Sequence, residues 1–408
     1  MSNSAQQRIP RPSLPLLAFM MSLGPFGDTE YTPAMPEIAR SLDVDYSMVQ
    51  FTMASYLIGM ALSELFYGAL ADRFGRRPVM LVGAGILTAG ALICLVSFSI
   101  WPLIGGRMIQ GVGATAGGVI AKAAVRDAFA SDQRERVYAQ LNAAFALAPA
   151  IGPILGSIIA QSLDWHINFA VLAALSALLW LLTWRYLPET KPKVNARALQ
   201  PARLWRSYKR PLAAPDFLFY AVLGGCCIGV VYTALIGAPD LVLNVLGMGT
   251  FAIIIVALAV LIGFASGAGL CAWLSKRLRD LYLLSAGLGV LLAGSFALLA
   301  VALVVGEQGT LAMYLTPIGF CFFGVGLIVP VSTANAMAPF NRIAGAASSV
   351  LGFTRMGIAA IGTIAMSLLH QSSVYDMPIV FLGLSGLASV IFVAYVALRG
   401  LTPAKSRS

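Results

Sequence analysis

The sequence has few charged residues for its length. Asp, Glu, Lys and Arg make up 11% of the 408 residues, whereas a soluble domain typically has about 25%. Hydrophobic residues make up 59%, so the chain lacks the polar surface that a soluble fold of this size needs. The scarcity of charge therefore excludes a soluble globular protein and indicates a multi-pass membrane protein.

Cysteine and histidine offer no metal site and no disulfide framework. The five cysteines lie in apolar segments, form no C-x-x-C pair and have no histidine beside them, so we expect them to pack between helices. The chain also shows no P-loop and no nucleophile–base pair. We therefore expect no metal, no cofactor and no enzymatic activity, and a membrane enzyme or a receptor is not favoured.

Long hydrophobic runs are abundant. A helix needs about 20 apolar residues to cross a bilayer, and twelve runs of that kind are present. They cover residues 14–36, 47–70, 78–98, 101–124, 137–160, 166–187, 215–237, 250–274, 281–304, 309–335, 343–368 and 377–399. The predicted fold class is an all-α membrane protein with twelve transmembrane helices.

One polar segment divides the twelve runs into two sets of six. Residues 188–213, PETKPKVNARALQPARLWRSYKRPLA, are basic and contain prolines. Transporters built from repeats have this layout, and the basic loop 70–78 has a weaker counterpart at 274–282, in the equivalent place of the second set. We expect an N-terminal six-helix half over 1–187, a basic cytoplasmic linker over 188–213 and a C-terminal six-helix half over 214–408.

Positive charges lie on one side of the predicted bundle. If the N-terminus is cytoplasmic, nearly all of the 27 lysines and arginines fall in cytoplasmic segments, as the positive-inside rule requires. Arg40 is the exception on the outer side, and Arg107 and Arg355 lie inside spans. We therefore expect cytoplasmic N- and C-termini, and we attribute the net charge of +10 to topology rather than to a nucleic-acid surface.

Three segments resemble known motifs. Residues 68–78, GALADRFGRRP, resemble the loop between helices two and three of the major facilitator superfamily. Residues 107–113, RMIQGVG, match its fourth-helix pattern R-x-x-Q-G-x-G. Residues 149–156, PAIGPILG, are similar to the fifth-helix pattern G-P-x-x-G of its drug:proton antiporters. Similarities in helices one, two and ten and after helix four point to exporters of the bicyclomycin and chloramphenicol resistance type.

The resemblance implies roles for these residues. The loop is expected to act as a latch that stabilises the outward-open state, through Gly68, Asp72, Arg73, Gly75, Arg76 and Arg77. The fifth-helix motif is expected to let a helix bend and pack closely where the two halves meet, through Pro149, Gly152, Pro153 and Gly156. The fourth-helix arginine, Arg107, is expected to help control proton affinity.

Three acidic residues lie inside predicted spans, where charge is costly and marks a functional site by default. Asp28 and Glu30 lie in the outer half of span one, and Glu64 lies in the inner half of span two. The family pattern D-x-Y-x-P would place its aspartate at Thr29, so this sequence departs from the family and has the acid at one or both neighbouring positions. Asp28, Glu30 and Glu64, together with Arg107, are the candidates for proton coupling.

Helix geometry separates the two acids of span one. At 3.6 residues per turn, Asp28 and Glu30 point about 200° apart, so both can face a central cavity only where the helix is distorted. Pro33 could cause such a distortion because its ring removes a backbone hydrogen bond. The alternative for Glu30 is an acid that reaches the outer water. The alternative for Glu64 is a structural partner of the 72–77 loop or of a helix end.

Polar and aromatic residues of other spans are candidates for a substrate cavity: Tyr31, Tyr56, Gln110, Asn142, Asn335 and Arg355. Arg355 has no strong motif around it, and it either has a structural role or binds an anionic group of the substrate. Further aromatic residues, Tyr232 and Phe353 among them, could line the same pocket. Spacing alone does not select among these aromatics.

These features predict a proton-coupled secondary active transporter that exports small amphipathic compounds, antibiotics among them, by alternating access. The expected partners are a small-molecule substrate, protons and the lipid of a bacterial inner membrane. We expect the chain to act as a monomer and to bind no nucleic acid. The departure at Thr29 leaves one alternative open, which is proton-coupled uptake or export of one specific metabolite or siderophore. The 149–156 motif argues against uptake.

Overall fold

The computed structural model describes residues 10–191, 194–249, 251–369 and 373–400. Within these ranges the chain is almost entirely helical and contains no strand. Its α-helices are α1 (Leu14–Thr29), α2 (Met35–Ser41), α3 (Tyr46–Phe74), α4 (Arg76–Leu95), α5 (Ile100–Ala128), α6 (Ser131–Ser162), α7 (His166–Tyr186), α8 (Pro201–Leu212), α9 (Pro215–Pro239), α10 (Phe251–Leu274), α11 (Asp280–Val304), α12 (Leu311–Met337), α13 (Ala344–Leu368) and α14 (Asp376–Gly400). Residues 1–9 and 401–408, the outer ends of the two predicted halves, lie outside the described ranges.

The prediction of an all-α membrane protein is confirmed. In the described residues, 11 helices, α3–α7 and α9–α14, are long and apolar enough to cross a membrane. Their bounds agree with the predicted spans to within a few residues, except that α6 begins at Ser131 rather than at 137. Helices α1 to α7 are called the first set below, and helices α9 to α14 are called the second set.

The first predicted span is not one continuous helix. α1 ends at Thr29, a 3₁₀ turn covers Thr32–Ala34, and α2 follows. Pro33 explains the break because proline has no N–H to donate to the carbonyl group four residues earlier. That carbonyl, of Thr29, accepts a hydrogen bond from the Thr32 hydroxyl at 2.8 Å instead. The run over 14–36 is therefore helical with a break, a distortion of the kind considered for Pro33, and the break lies at the two acids.

One central helix organises the packing of the first set. α5 contacts α1, α3 and α4, and glycines allow the close approach. A Cβ on Gly111 would lie 2.0 Å from the carbonyl oxygen of Tyr56 on α3, and a Cβ on Gly117 would lie 1.9 Å from that of Met20 on α1. The glycines of α5, Gly111 of the fourth-helix motif among them, therefore form the packing surface for the neighbouring helices.

The second set has an equivalent centre in α12, its fourth membrane helix. α12 contacts α9, α10 and α11. A Cβ on Gly267 of α10 would lie 2.2 Å from the carbonyl oxygen of Phe323, and a Cβ on Gly324 would lie 2.7 Å from that of Gly287 on α11. The two sets thus repeat the same packing device in the same order.

The two sets meet along two helix pairs, α3 with α13 and α6 with α10. The linker contains the short helix α8. Hydropathy did not predict this helix, because it has 12 residues and only one of its faces is apolar. α8 packs against α9 and α13, and its Tyr208 hydroxyl donates a hydrogen bond to the carbonyl oxygen of Leu65 on α3. The linker helix therefore lies at one end of the bundle, here called the basic face, where α3 ends and α4 begins.

Candidate functional site at the broken first helix

Asp28 connects the two sets of helices. It lies in the last turn of α1 and is only 2% exposed. Its Oδ2 accepts a hydrogen bond of 2.7 Å from the Tyr232 hydroxyl on α9. A carboxyl group of the first set therefore directly contacts the second set, inside the bundle.

Glu30 lies two residues further on, at the break itself. It is 1% exposed, so it does not reach the outer water. Both of its carboxylate oxygens are buried without a hydrogen-bond partner, and Arg107 acts on it electrostatically without forming an ion pair. Burying an ionised carboxyl group without a partner is costly, so the charge state of Glu30 depends on the groups around it. Glu30 is therefore a second titratable group of the same site.

The fifth-helix motif on α6 packs directly against the break. A Cβ on Gly152 would lie 2.1 Å from Thr29 Oγ1, and a Cβ on Gly156 would lie 1.7 Å from the Glu30 carbonyl oxygen. No residue with a side chain fits at Gly156 unless one of the two backbones moves. The glycines therefore fix where the distorted segment of α1 lies, and with it both acids.

Arg107 lies beneath the break in a fully buried pocket. Its guanidinium carbon is 4.0 Å from the ring centre of Tyr31 and 4.3 Å from that of Tyr56, which is cation–π geometry. Its Nη1 donates to the Gly27 carbonyl at 2.8 Å and to Gln110 Oε1 at 2.6 Å. Four predicted site residues from α3, α5 and the broken segment are thereby brought together.

Two of the predicted cavity tyrosines are held by hydrogen bonds of their own. The Tyr31 hydroxyl pairs with Thr52 Oγ1 at 2.9 Å, and the Tyr56 hydroxyl donates to the Gly24 carbonyl at 3.0 Å. The Nε and Nη2 atoms of Arg107 are buried without partners. Unpaired donors on Arg107 and unpaired acceptors on Glu30 therefore lie in one polar region of an otherwise apolar bundle.

Glu64 lies apart from these residues, nearer the basic face. It is half-buried, and a Cβ on Gly352 of α13 would lie 2.6 Å from its carboxyl carbon. Lys122 acts on it electrostatically. The structure therefore places Glu64 at the junction of α3 with α13, not against the 72–77 loop.

The loop predicted as a latch is held by ion pairs. Arg76, only 2% exposed, contacts Asp72 at 3.1 Å and Asp127 on α5 at 2.9 Å.

Gly75 has a φ of 98°, which favours glycine. Gly68 faces Ser349 of α13 at ordinary van der Waals distance. Arg73 is exposed and its guanidinium carbon lies 5.2 Å from the Phe74 ring centre, while Arg77 donates to the Trp184 carbonyl.

The start of the linker completes this network. Glu189 accepts hydrogen bonds from the backbone N–H groups of Arg76 at 2.9 Å and Arg77 at 3.2 Å, so it caps the first turn of α4. Lys191 pairs with Asp72. The ion pairs of the loop thus join it to α5 and to the linker, an arrangement that the loop motif by itself does not contain.

The remaining cavity candidates are not hydrogen-bonded to Asp28 or Glu30 in the described structure. Asn142 is exposed on α6. Asn335 Nδ2 donates to Asp280 Oδ2 at 2.9 Å, a contact between α12 and α11. Arg355 lies on α13 among second-set helices, and its Nη2 donates to the Ser332 hydroxyl at 3.2 Å.

Sequence reasoning named Tyr232 among the possible pocket aromatics but missed its pairing with Asp28, and it missed Glu189 altogether. Tyr232 was one of several aromatics in an apolar run, and only the fold brings it to Asp28. Glu189 stands in a polar linker without a motif. The one signal available for Tyr232 was a phenol in mid-span, because a buried hydroxyl needs a partner.

The chain is similar to known transport and resistance proteins. The model of the family described as Major Facilitator Superfamily matches residues 16–363. Multidrug resistance protein D of Escherichia coli (strain K12) is 31% identical over 350 residues, which cover 85% of this chain and 85% of that protein. A chloramphenicol resistance protein of Pseudomonas aeruginosa is 28% identical over 380 residues, covering 91% and 88% of the two chains. The resemblance drawn from the three motifs is confirmed.

A solved structure shares the fold. The xylose transporter XylE from E. coli, in a partially occluded inward-open conformation, superposes with a TM-score of 0.74 and covers 97% of this chain and 98% of that one. The two sequences are only 13% identical. At this identity the likeness concerns the fold alone.

Proposed function

The chain belongs to the major facilitator superfamily, and we propose that it is a proton-coupled exporter of small amphipathic compounds, antibiotics among them. The names of the resistance proteins that it resembles support this substrate class. In this proposal the first and second sets are the two halves of an alternating-access transporter. The chain acts as a monomer in the inner membrane of a bacterium.

The hydrogen bond between Asp28 and Tyr232 is the observation that carries the proposal. A carboxyl group that changes its protonation state also changes what it can accept or donate. Protonation of Asp28 therefore alters a direct contact between the halves. This gives the proton a means of biasing one arrangement of the halves over the other.

Glu30 and Arg107 are the proposed regulators of that proton. The neighbouring charge of Arg107 makes the pocket sensitive to whether Glu30 is ionised. Glycines of α6 hold the break that carries both acids, so movement of α6 changes their surroundings. Glu64, at the α3–α13 junction, is the proposed acid on the side of the basic face.

The basic face is proposed to be cytoplasmic. Loop 70–78, the linker 188–213 and loop 274–282 are rich in Lys and Arg, and short basic loops stay on the cytoplasmic side. The 68–77 segment is the proposed latch. Its ion pairs with α5 and the linker hold it on the first half.

Uphill transport in liposomes tests the proposal. The purified chain is reconstituted with an imposed pH gradient, and accumulation of chloramphenicol and of a panel of amphipathic antibiotics is measured. We expect accumulation against the concentration gradient for at least one compound. Asp28→Asn keeps the size and polarity of the side chain and should abolish accumulation while leaving downhill exchange.

The matched control is Asp164→Asn, which removes a carboxyl group from the turn between α6 and α7, where Asp164 contacts His166. That variant should accumulate substrate as the unmodified chain does. Uphill accumulation that persists in Asp28→Asn, Glu30→Gln and their combination would refute coupling through these acids. Accumulation that runs in the direction of proton entry would instead indicate uptake.

A further inference from the structure

Among the described residues of the second set, one lysine or arginine lies in the middle of a membrane-spanning helix. Four of its acids lie at helix ends or in turns, at Asp216, Asp280, Glu307 and Asp376. The fifth, Asp240, is buried at the start of the π-helical segment Asp240–Val245 that continues α9. The described lysines and arginines of the second set lie at the basic face, with the exception of Arg355, the twelfth residue of α13. A charge at this depth is costly and marks a functional site by default, yet the proton chemistry proposed above does not use Arg355.

Little in the described structure compensates this charge. Arg355 makes one hydrogen bond, to the Ser332 hydroxyl at 3.2 Å, and its Nε is buried without a partner. No ion pair joins it to any carboxylate of the described residues. Gly224 makes the space for the guanidinium, because a Cβ there would lie 2.6 Å from Arg355 Nη2.

Arg107, in the same bundle, is a cation whose charge is compensated by neighbouring groups. That guanidinium has two aromatic rings, a carbonyl and an amide oxygen around it, with Glu30 close enough to act on it. Arg355 has a hydroxyl in place of all these. A guanidinium with unused donors matches a carboxylate geometrically and electrostatically.

Arg355 also lies beside the junction of the two sets. Gly352, one turn earlier on α13, faces Glu64 of α3. Along α9, Gly224 at Arg355 and Tyr232 at Asp28 are eight residues apart, which is about 12 Å at 1.5 Å per residue. A small amphipathic molecule can bridge that separation.

We infer that Arg355 is the substrate-binding cation of this transporter, and that its substrates include amphipathic molecules with a carboxylate. The carboxylate binds the guanidinium on the second set, and the apolar body of the molecule extends towards Asp28 and Tyr232. This inference rests on the proposed function, since it names a substrate class for that transporter.

Equilibrium binding to the full chain in detergent tests the inference. The probes are benzoate, salicylate and nalidixate at pH 7.5, each paired with its primary amide, which has nearly the same shape and no charge. We expect at least one acid to bind about 10- to 100-fold more tightly than its amide, as a charged hydrogen-bonded pair contributes. Arg355→Gln should remove this preference and leave amide binding unchanged.

Two further variants separate recognition from general effects. Arg355→Lys keeps the charge without the planar fork, so it should retain part of the preference. Lys276→Gln removes an exposed positive charge near the basic face and should retain all of it. A preference for the acid that survives in Arg355→Gln would overturn the inference, and so would the absence of preference for every acid in the unmodified chain.

Glu64 provides the competing explanation and its own outcome. If Arg355 instead serves as a counter-charge for Glu64, then Arg355→Gln should change the acid preference only while Glu64 is present. Glu64→Gln and the double variant Glu64→Gln/Arg355→Gln would then show the same acid preference, and the inference would fail. The experiments distinguish failure of the Arg355 inference from failure of the proposed function. Asp28→Asn should lose uphill transport and keep the acid preference, whereas a coupled transporter without acid preference would leave only the proposed function standing.

Discussion

The two sets of helices share a packing scheme and differ in their interior charge. Each set is built around its fourth membrane helix, with glycines at the close contacts. The first set contains the acids Asp28, Glu30 and Glu64 and the buried Arg107, whereas the described part of the second set has the buried Asp240 and one mid-helix cation, Arg355. The repeat therefore preserves the fold without preserving the chemistry.

This difference suggests a division of labour. Packing needs only small residues at set positions, so it can be the same in both sets. Titratable groups are costly in a bilayer and persist where they are used. In the proposed function the acids of the first set exchange protons, and the hydrogen bond from Tyr232 to Asp28 connects them to the second set.

The largest expected effect comes from removing that contact. Tyr232→Phe deletes the hydroxyl that donates to Asp28 and leaves the ring in place. Because a hydrogen bond to a charged group contributes about 1.5–3 kcal/mol, we expect uphill accumulation to fall by about 10-fold or more. Reconstituted vesicles with an imposed pH gradient provide the measurement.

Tyr46→Phe is the matched control for this variant. The Tyr46 hydroxyl also joins the sets, but it donates to a backbone carbonyl, that of Ile236, at 3.1 Å. Its loss should lower stability slightly and leave proton coupling intact. Equal loss of coupling in both variants would mean that any contact between the sets matters, and that the acid has no special role.

The next largest effect concerns the glycine that holds the break. Gly156→Ala places a methyl group where a Cβ would lie 1.7 Å from the Glu30 carbonyl oxygen, so a backbone must move. Overpacking of this kind costs about 1–3 kcal/mol. We expect a lower melting temperature of the detergent-solubilised chain together with reduced transport.

Gly118→Ala serves as the reference, because a Cβ on this α5 glycine meets nothing within 4 Å. It should leave both the melting temperature and transport unchanged. If Gly156→Ala melts and transports like the unmodified chain, then α6 does not fix the position of the acids.

The smallest expected effect is a difference in stability between variants of the two basic loops. Glu189→Gln weakens the cap on α4 and the bonds to Arg76 and Arg77, which we expect to cost about 1 kcal/mol. Arg277→Gln in the counterpart loop of the second set removes an exposed side chain and should cost less than about 0.5 kcal/mol. Thermal unfolding of both variants tests the difference, and equal losses would contradict the asymmetry.

Much of the fold could be predicted from the sequence, because the bilayer dictates helix length and apolar content. The bounds of α10 and α13 differ from the predicted spans by one residue. The break in the first span was harder to predict, since Pro33 is compatible with a kink, a distortion or the end of the helix. Only the packing of α6 against Thr29 and Glu30 decides among them.

The candidate site was predictable in part for a related reason. Arg107, Gln110 and Gly111 form a local motif on one helix, so their association could be predicted. The partner of Asp28 is 204 residues away in sequence, and helical periodicity contains no information about such pairs. Arg355 could be recognised as a cation inside a span, but its lack of a described acidic partner emerged only from the fold.

Substrate-induced proton release is the most direct test of the central claim, that Asp28 carries the proton which couples the two sets. The full chain in weakly buffered detergent solution is mixed with each compound of the antibiotic panel, and the pH change is recorded. We predict release from the unmodified chain and from Arg355→Gln with a neutral substrate, and none from Asp28→Asn. Undiminished release from Asp28→Asn would contradict the account.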